Sequence, residues 1–184
     1  MNGSLRDPEV RLLASIAAAL KDDYLRPEPE DPWAKSPFAW IRALPSSTKG
    51  KIGAQLVSGW CAAKGLDVTA SGDTQADRVI AGRRVETKFS TLWEIGVYKF
   101  QQIREQAYEY VIALGLSPFD AHCWVISKEV LRAHVIGHTP QHRGRGGTDT
   151  FWLSFRAGEP PGWLSPCGGS LVQAFAALQR MGNK

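Results

Sequence analysis

A mixed β-sheet flanked by helices, in the α/β or α+β class, is the fold this sequence predicts, and three observations predict it. Apolar runs of strand length, "YVIALGLS" and "AHCWVIS", follow one another closely in the middle of the chain. Segments whose apolar residues recur at helical spacing stand before and after them. Ahead of the runs lies "ADRVIAGRRVETKFS", which reads as a β-hairpin turning at Ala81-Gly82. A chain of 184 residues suits one domain, 1–184, with 1–45 as an N-terminal helix and connector and 46–184 as the core.

The first helix is expected from Asp7, an N-cap residue, and Pro8, at the first helical position, through Tyr24. Val10, Leu13, Ala17 and Leu20 share one face, so this helix should pack against the core or a second copy of the chain. Arg26 to Pro37, "RPEPEDPWAKSP", is too rich in proline for helix or central strand and reads as a connector inside the domain. Ser46 to Gly65 is a second helix, with a Ser/Thr cap in front and Gly65 as its stop. Ile52, Leu56, Trp60 and Ala63 form its expected buried stripe, leaving Lys51, Ala54, Gln55 and Ser58 on the other side.

"LDVTA" reads as a strand. A two-residue hairpin loop then pairs Ile80 with Arg83 and Val79 with Arg84, and sets Asp77 opposite Glu86. "YKFQQIREQAYEY" reads as a helix with Gln102 and Gln106 one turn apart. After the two apolar strands come a short helix, "KEVLRAHV", and a basic glycine-rich loop, His138 to Thr150. "FWLSF" is a short strand and "SLVQAFAALQR" a closing helix. Trp60, Trp124 and Trp152 fall in apolar patterns and are assigned to the core, whereas Trp93 and Tyr98 follow the hairpin and would flank a ligand.

Lysine and arginine number 22 against 18 acidic residues, a formal charge of +4, which suits a nucleic-acid partner without requiring one. The three cysteines are scattered and form no CxxC, so reduced thiols in a cytoplasm are expected. No apolar run has the length of a membrane span. "LLASIAAAL" follows Asp7 and Glu9 and reads as amphipathic helix rather than export signal.

The chemistry concentrates in "RRVETKFS". In a strand, side chains two apart share a face, so Arg84, Glu86 and Lys88 form one row and Val85, Thr87 and Phe89 the other. Asp77, directly across the hairpin, would lie about 5 Å from Glu86. Two carboxylates that close repel by roughly 3 kcal/mol at an effective dielectric of 20. A hard cation relieves this, and Mg²⁺ takes one or two carboxylates while keeping other positions for water and phosphate. Lys88 would then hold an attacking water or offset transition-state charge. Alone, Glu86 and Lys88 read equally as a solvated ion pair.

Taken as an ordered set (Asp77, a tight hairpin, Glu86-Thr87-Lys88, then further strands), these residues resemble the PD-(D/E)xK nuclease superfamily, and within it type II restriction endonucleases. The "PD" pair stands here as Ala76-Asp77, without the proline. "WIRALPSSTKGKIGAQLV", "YKFQQIREQAYEYVIALGLSPFDAHCWVIS" and "RGRGGTDTFWLSF" extend the likeness over Trp40 to Phe155. It implies a Mg²⁺-dependent endonuclease cutting double-stranded DNA at a specific sequence, with Asp77 and Glu86 on the metal and Lys88 catalytic. By analogy it implies a homodimer, with the first helix as a candidate dimer element. Junction or repair nucleases of the same superfamily, and a DNA-binding protein that does not cut, are the rival readings.

One departure stands out. Many relatives carry a glutamate in a "GKIGE" context, and this chain has Ala54 there. Either two carboxylates suffice, or Gln55 partly substitutes, or the chain is an inactivated variant that holds uncut DNA. Cationic residues near predicted loops and helix ends are the DNA-facing candidates: Lys49, Lys51, Lys99 and Arg104, then His142, Arg143 and Arg145 in the glycine-rich loop. Gln102 joins them as a polar contact to backbone or water.

Overall fold

The computed structural model describes residues 8–24, 31–73, 75–140 and 149–182. By internal packing the chain divides into Met1–Ala34 and Lys35–Lys184, and the division falls within the proline-rich connector that the sequence reading keeps inside one domain. The first unit contains helix α1, Pro8–Tyr24. Val10 and Leu13, expected to be covered, are exposed, as are Leu12 and Ile16. Asp7, the expected N-cap, lies outside the described residues.

The second unit starts with α2, Ala39–Arg42, and α3, Ser46–Ala63. Pro45, not a serine or threonine, holds the N-cap position of α3. Gly65 ends the helix as expected: its φ is +80°, and its N–H reaches the Ala62 carbonyl at 2.9 Å. The buried stripe is one residue off the expected one, with Gly53, Val57 and Cys61 fully covered and Ile52, Leu56 and Trp60 only half-covered. Gly53 explains the shift. A Cβ there would stand 2.4 Å from the Phe89 Cβ, so glycine lets the helix backbone rest directly on the sheet.

Among the described residues eight strands follow: β1 Val68–Ala70, β2 Arg78–Ile80, β3 Arg83–Thr91, β4 Val97–Ile103, β5 Tyr110–Leu116, β6 Ala121–Ser127, β7 Phe151–Arg156 and β8 Gly168–Ser170. Helix α4, Lys128–His134, follows β6, and α5, Leu171–Gly182, closes the unit. The main sheet runs β1-β2-β3-β5-β6-β8, antiparallel except between β3 and β5, and β4 and β7 form a separate ribbon. This is the expected mixed sheet flanked by helices.

The β2–β3 hairpin has the expected register, Ile80 against Arg83 and Val79 against Arg84. The helix expected over Tyr98 to Tyr110 is absent: Val97–Ile103 is strand β4, 104–109 is a connection and Tyr110 opens β5, so Gln106 is not one turn from Gln102. Its helix-forming Gln-Gln-Ile-Arg-Glu-Gln-Ala run is overruled by packing: Tyr98, Phe100 and Ile103 are buried, and aromatic side chains favour a pleated, half-covered surface. Tyr98 is therefore core rather than a flank for ligand.

Parity along the strands sorts the two faces of the main sheet. Glu86, Lys88 and Ser90 of β3 pair with Val111, Ala113 and Gly115 of β5, and Ala113 pairs with Trp124 of β6. On this face the ribbon packs: Trp124 meets Phe155 edge-on at 5.0 Å between ring centroids, and a Cβ on Gly115 would strike the Tyr98 ring at 2.8 Å. The opposite face, with Phe89, carries α3. Trp124 is the buried tryptophan of the expected trio, while Trp60 is half-buried and Trp152 is 37% exposed on β7. Strand β8 has no strand-like sequence. Gly168 sits at φ +143°, and a Cβ there would lie 2.3 Å from the Cys123 carbonyl.

Candidate active site

Strand β2 pairs with β3 only over Arg83–Val85, so beyond Val85 that side of β3 has no ladder partner among the described residues. A cavity of about 1340 Å³ lies along this stretch. Asp77 sits where the ladder stops: its N–H donates to the Val85 carbonyl at 2.9 Å, and its Oδ2 accepts the Thr87 N–H at 2.7 Å. The backbone of one strand thereby aims the carboxylate of the other. Lys88 Nζ lies 2.8 Å from Glu86 Oε1, with the two side chains 13% and 15% exposed. The repulsion expected between Asp77 and Glu86 is thus offset on one side by the Lys88 ammonium.

Asp77, Glu86 and Lys88 all line the cavity, together with Lys49, Lys51 and Ala54 of α3 and Lys99 and Gln102 of β4. Ala54 follows Gly53, the residue seated on Phe89, and that seat holds it beside the row. Other expected members are elsewhere. Arg104 lines a smaller cavity with Glu105, Gln106 and Asp149. Arg84 turns to Asp73, whose oxygens it meets at 2.7 and 2.8 Å. His142, Arg143 and Arg145 lie outside the described residues.

The cavity also gathers residues the sequence did not single out. Arg42 and Arg78 line it, and so do Ser46 and Ser47 in the first turn of α3; Gln101, expected beside Gln102 as a polar contact, lines it too. Arg78 was adjacent to Asp77 and legible by position; Arg42 reaches the site only because α2 folds back toward it. Arg42, Lys49, Lys51, Arg78, Lys88 and Lys99 outnumber Asp77, Glu86 and Glu94 in the lining, so the cavity favours an anion. At its rim, Lys99 Nζ stands 3.7 Å from the centre of the Trp93 ring, and Arg42 reaches Glu94 at 3.5 Å. The Trp93–Gly96 turn is closed by the Gly96 N–H on the Trp93 carbonyl at 2.8 Å.

Strand β4 is irregular at this wall. Phe100 pairs with Leu153 and Ile103 with Phe151, so Gln101 and Gln102 together face the single residue Trp152. Gln102 has φ +55°, a conformation costing a side-chain-bearing residue about 1 kcal/mol.

Asp77 and Glu86 are the carboxylates of the cavity's β3 wall that could hold a hard divalent cation. Asp77 and Glu86 would supply two carboxylates, leaving the remaining positions for water and a phosphate oxygen. Among the described residues no group of three or more His, Cys, Asp or Glu is placed to hold a metal by itself. The cysteines suit no nucleophilic role: all three are buried, and burial pushes the Cys61 thiol up to about 11 and raises Cys123 and Cys167 as well.

No protein-family model matches this chain, and no curated protein matches it. Among solved structures it is similar to a bacterial homing endonuclease, I-Ssp6803I, at 15% identity and a TM-score of 0.50, over 76% of this chain and 94% of that one. The likeness shows the fold alone, a mixed α+β arrangement. Among the described residues no helix is long and apolar enough to cross a membrane.

Proposed function

We propose that the chain is a Mg²⁺-dependent endonuclease that hydrolyses phosphodiester bonds of double-stranded DNA at a specific sequence, in the manner of a type II restriction enzyme acting as a homodimer. The observation that carries this reading is the meeting of Asp77, Glu86 and Lys88 on the open side of β3, in a cavity whose other charges are mainly cationic. The endonuclease-like fold supports it.

Asp77 and Glu86 would hold the cation, which when bound supplies Lewis-acid polarisation of the phosphate. Lys49, Lys51 and Lys99 neutralise backbone phosphates and fix the register of the duplex. Lys88 puts an ammonium beside the attacked phosphorus. There it orients the water whose oxygen bonds to phosphorus as the ester P–O bond breaks, and it offsets the charge that develops. Glu86, held at 2.8 Å, fixes where that ammonium stands.

Ala54 favours a second reading, a DNA-binding protein on the same fold that does not cut, because a methyl lines the cavity where a carboxylate would add a ligand. One experiment separates them: incubation of linear and branched duplexes with Mg²⁺, with chelator as control, for the chain as it stands and for Ala54→Glu. Discrete fragments from linear DNA support the restriction reading, and cutting of branched DNA alone favours a junction nuclease. Ala54→Glu is expected to raise the rate by at least about 100-fold, roughly 2.7 kcal/mol of barrier. An unchanged rate removes position 54 from the metal site.

A further inference from the structure

We propose that the bulge in β4 is a base-reading device: Gln101 and Gln102 present their carboxamides to the edge of an adenine next to the cleaved phosphate. The inference rests on the DNA-cleaving reading of this site and names what part of its specificity comes from.

Without a bulge, side chains along β4 would alternate strictly. Gln102 would then share the face of Phe100 and be buried, and Ile103 would point outward. The extra residue reverses this. Phe100 and Ile103 are both buried, at 0% and 1% exposure, while Gln101 and Gln102 are both exposed. Both also line the cavity that holds Asp77, Glu86 and Lys88. Two consecutive strand residues thus serve one surface, which an ordinary strand does not allow.

The left-handed position is the natural place for glycine, since a Cβ there is unfavourable. At Gln102 the side chain is carried despite that cost. Its chemistry differs from that of the cavity's cations. A carboxamide offers both a donor and an acceptor and no net charge, so it adds little to phosphate binding. It matches the N6 donor and N7 acceptor of adenine in the major groove, the pairing by which Gln reads a base. Lys99, two residues before Gln101 on the same strand and also in the lining, supplies the neighbouring phosphate contact.

The test is selection from a pool of randomised duplexes in Ca²⁺, comparing the chain as it stands with Gln101→Ala, Gln102→Ala and Gln102→Gly, each also followed through thermal unfolding. The unaltered chain should enrich sites with adenine at one fixed position. Each substitution should flatten that position by about ten-fold or more, a loss larger than any it causes on random duplex. Two results overturn the inference: variants that weaken every duplex alike, or an adenine preference that survives in all three. If the unaltered chain binds and cuts DNA yet its preference ignores both glutamines, only this inference fails. If it binds no duplex at all, the nuclease reading fails with it.

Discussion

Ala81 and Gln102 share one unusual backbone feature, a positive φ without glycine, and they mark the two regions that build the candidate site. Ala81 turns the β2–β3 hairpin, which brings Asp77 to Glu86 and Lys88. Gln102 sits in the β4–β7 ribbon, which brings Lys99 and the glutamines to the other wall. In the hairpin a two-residue turn sets the register locally, and every cross-strand partner follows from it. The ribbon's register is broken and is held instead by distant packing of Tyr98, Phe100 and Phe155 on Trp124. The groups assigned to chemistry thus stand on the locally determined element, and those assigned to recognition on the element that packing determines.

The largest expected effect tests the hairpin wall. Lys88→Ala should lower Mg²⁺-dependent cleavage by at least about 1,000-fold, roughly 4 kcal/mol, while duplex affinity stays within about ten-fold. A group that acts in the transition state costs rate rather than ground-state binding. Gel-shift titration beside single-turnover cleavage measures both, and equal losses in the two would make Lys88 a structural partner of Glu86.

That division also explains what the sequence revealed. That Asp77, Glu86 and Lys88 come to line one cavity was readable because alternation and a two-residue loop are local, and the observed pairs Ile80–Arg83 and Val79–Arg84 follow from them. The ribbon was not. Its bulge breaks the period of two between Phe100 and Ile103, and Gln-Gln-Ile-Arg-Glu-Gln-Ala offers a plausible helix in its place. The α3 stripe was misplaced for a related reason: Gly53 carries no apolar side chain, so no hydrophobic pattern marks the residue that touches Phe89. Arg42 enters the cavity through tertiary folding alone, and nothing nearby in the chain signals it.

Gly53→Ala tests that contact. The added Cβ would meet Phe89 at its own Cβ, 2.4 Å away, and an atom so close to the main chain cannot swing aside. Helix α3 must lift from β3, at an expected cost of about 2 kcal/mol in urea unfolding. Lys49, Lys51 and Ala54 move with it, so duplex affinity should fall too. Ala81→Gly is the smaller counterpart. It relieves the turn, where the φ is +49°, and should stabilise the protein by about 0.5 kcal/mol with no change in cleavage or sequence preference. A change in preference from Ala81→Gly would mean that the two regions are coupled, and the comparison between them would break.

The smallest effect concerns how the ribbon's far end is tied down. Beyond β4, Glu105 meets Lys128 Nζ at 2.8 Å and Arg132 at 2.7 Å on α4, and Tyr108 donates to the Arg104 carbonyl at 2.6 Å. Hydrogen bonds from Arg132, then from Lys128, hold the Glu105 carboxyl down at about 2. Unfolded, a glutamate titrates near 4.3. Between those values the unfolded chain binds more protons than the folded one, so stability falls as pH falls. The contribution is complete above about pH 4.5 and is lost as pH drops through 2. With its side chain 45% exposed, Glu105 stands largely in water, which limits the effect to a few tenths of a kcal/mol. The stability difference between the unaltered chain and Glu105→Gln should therefore be constant from pH 7 to about 4.5 and shrink toward pH 2. A difference that persists unchanged at pH 2 would assign the effect to packing, and the ribbon would then be anchored by contacts other than these ion pairs.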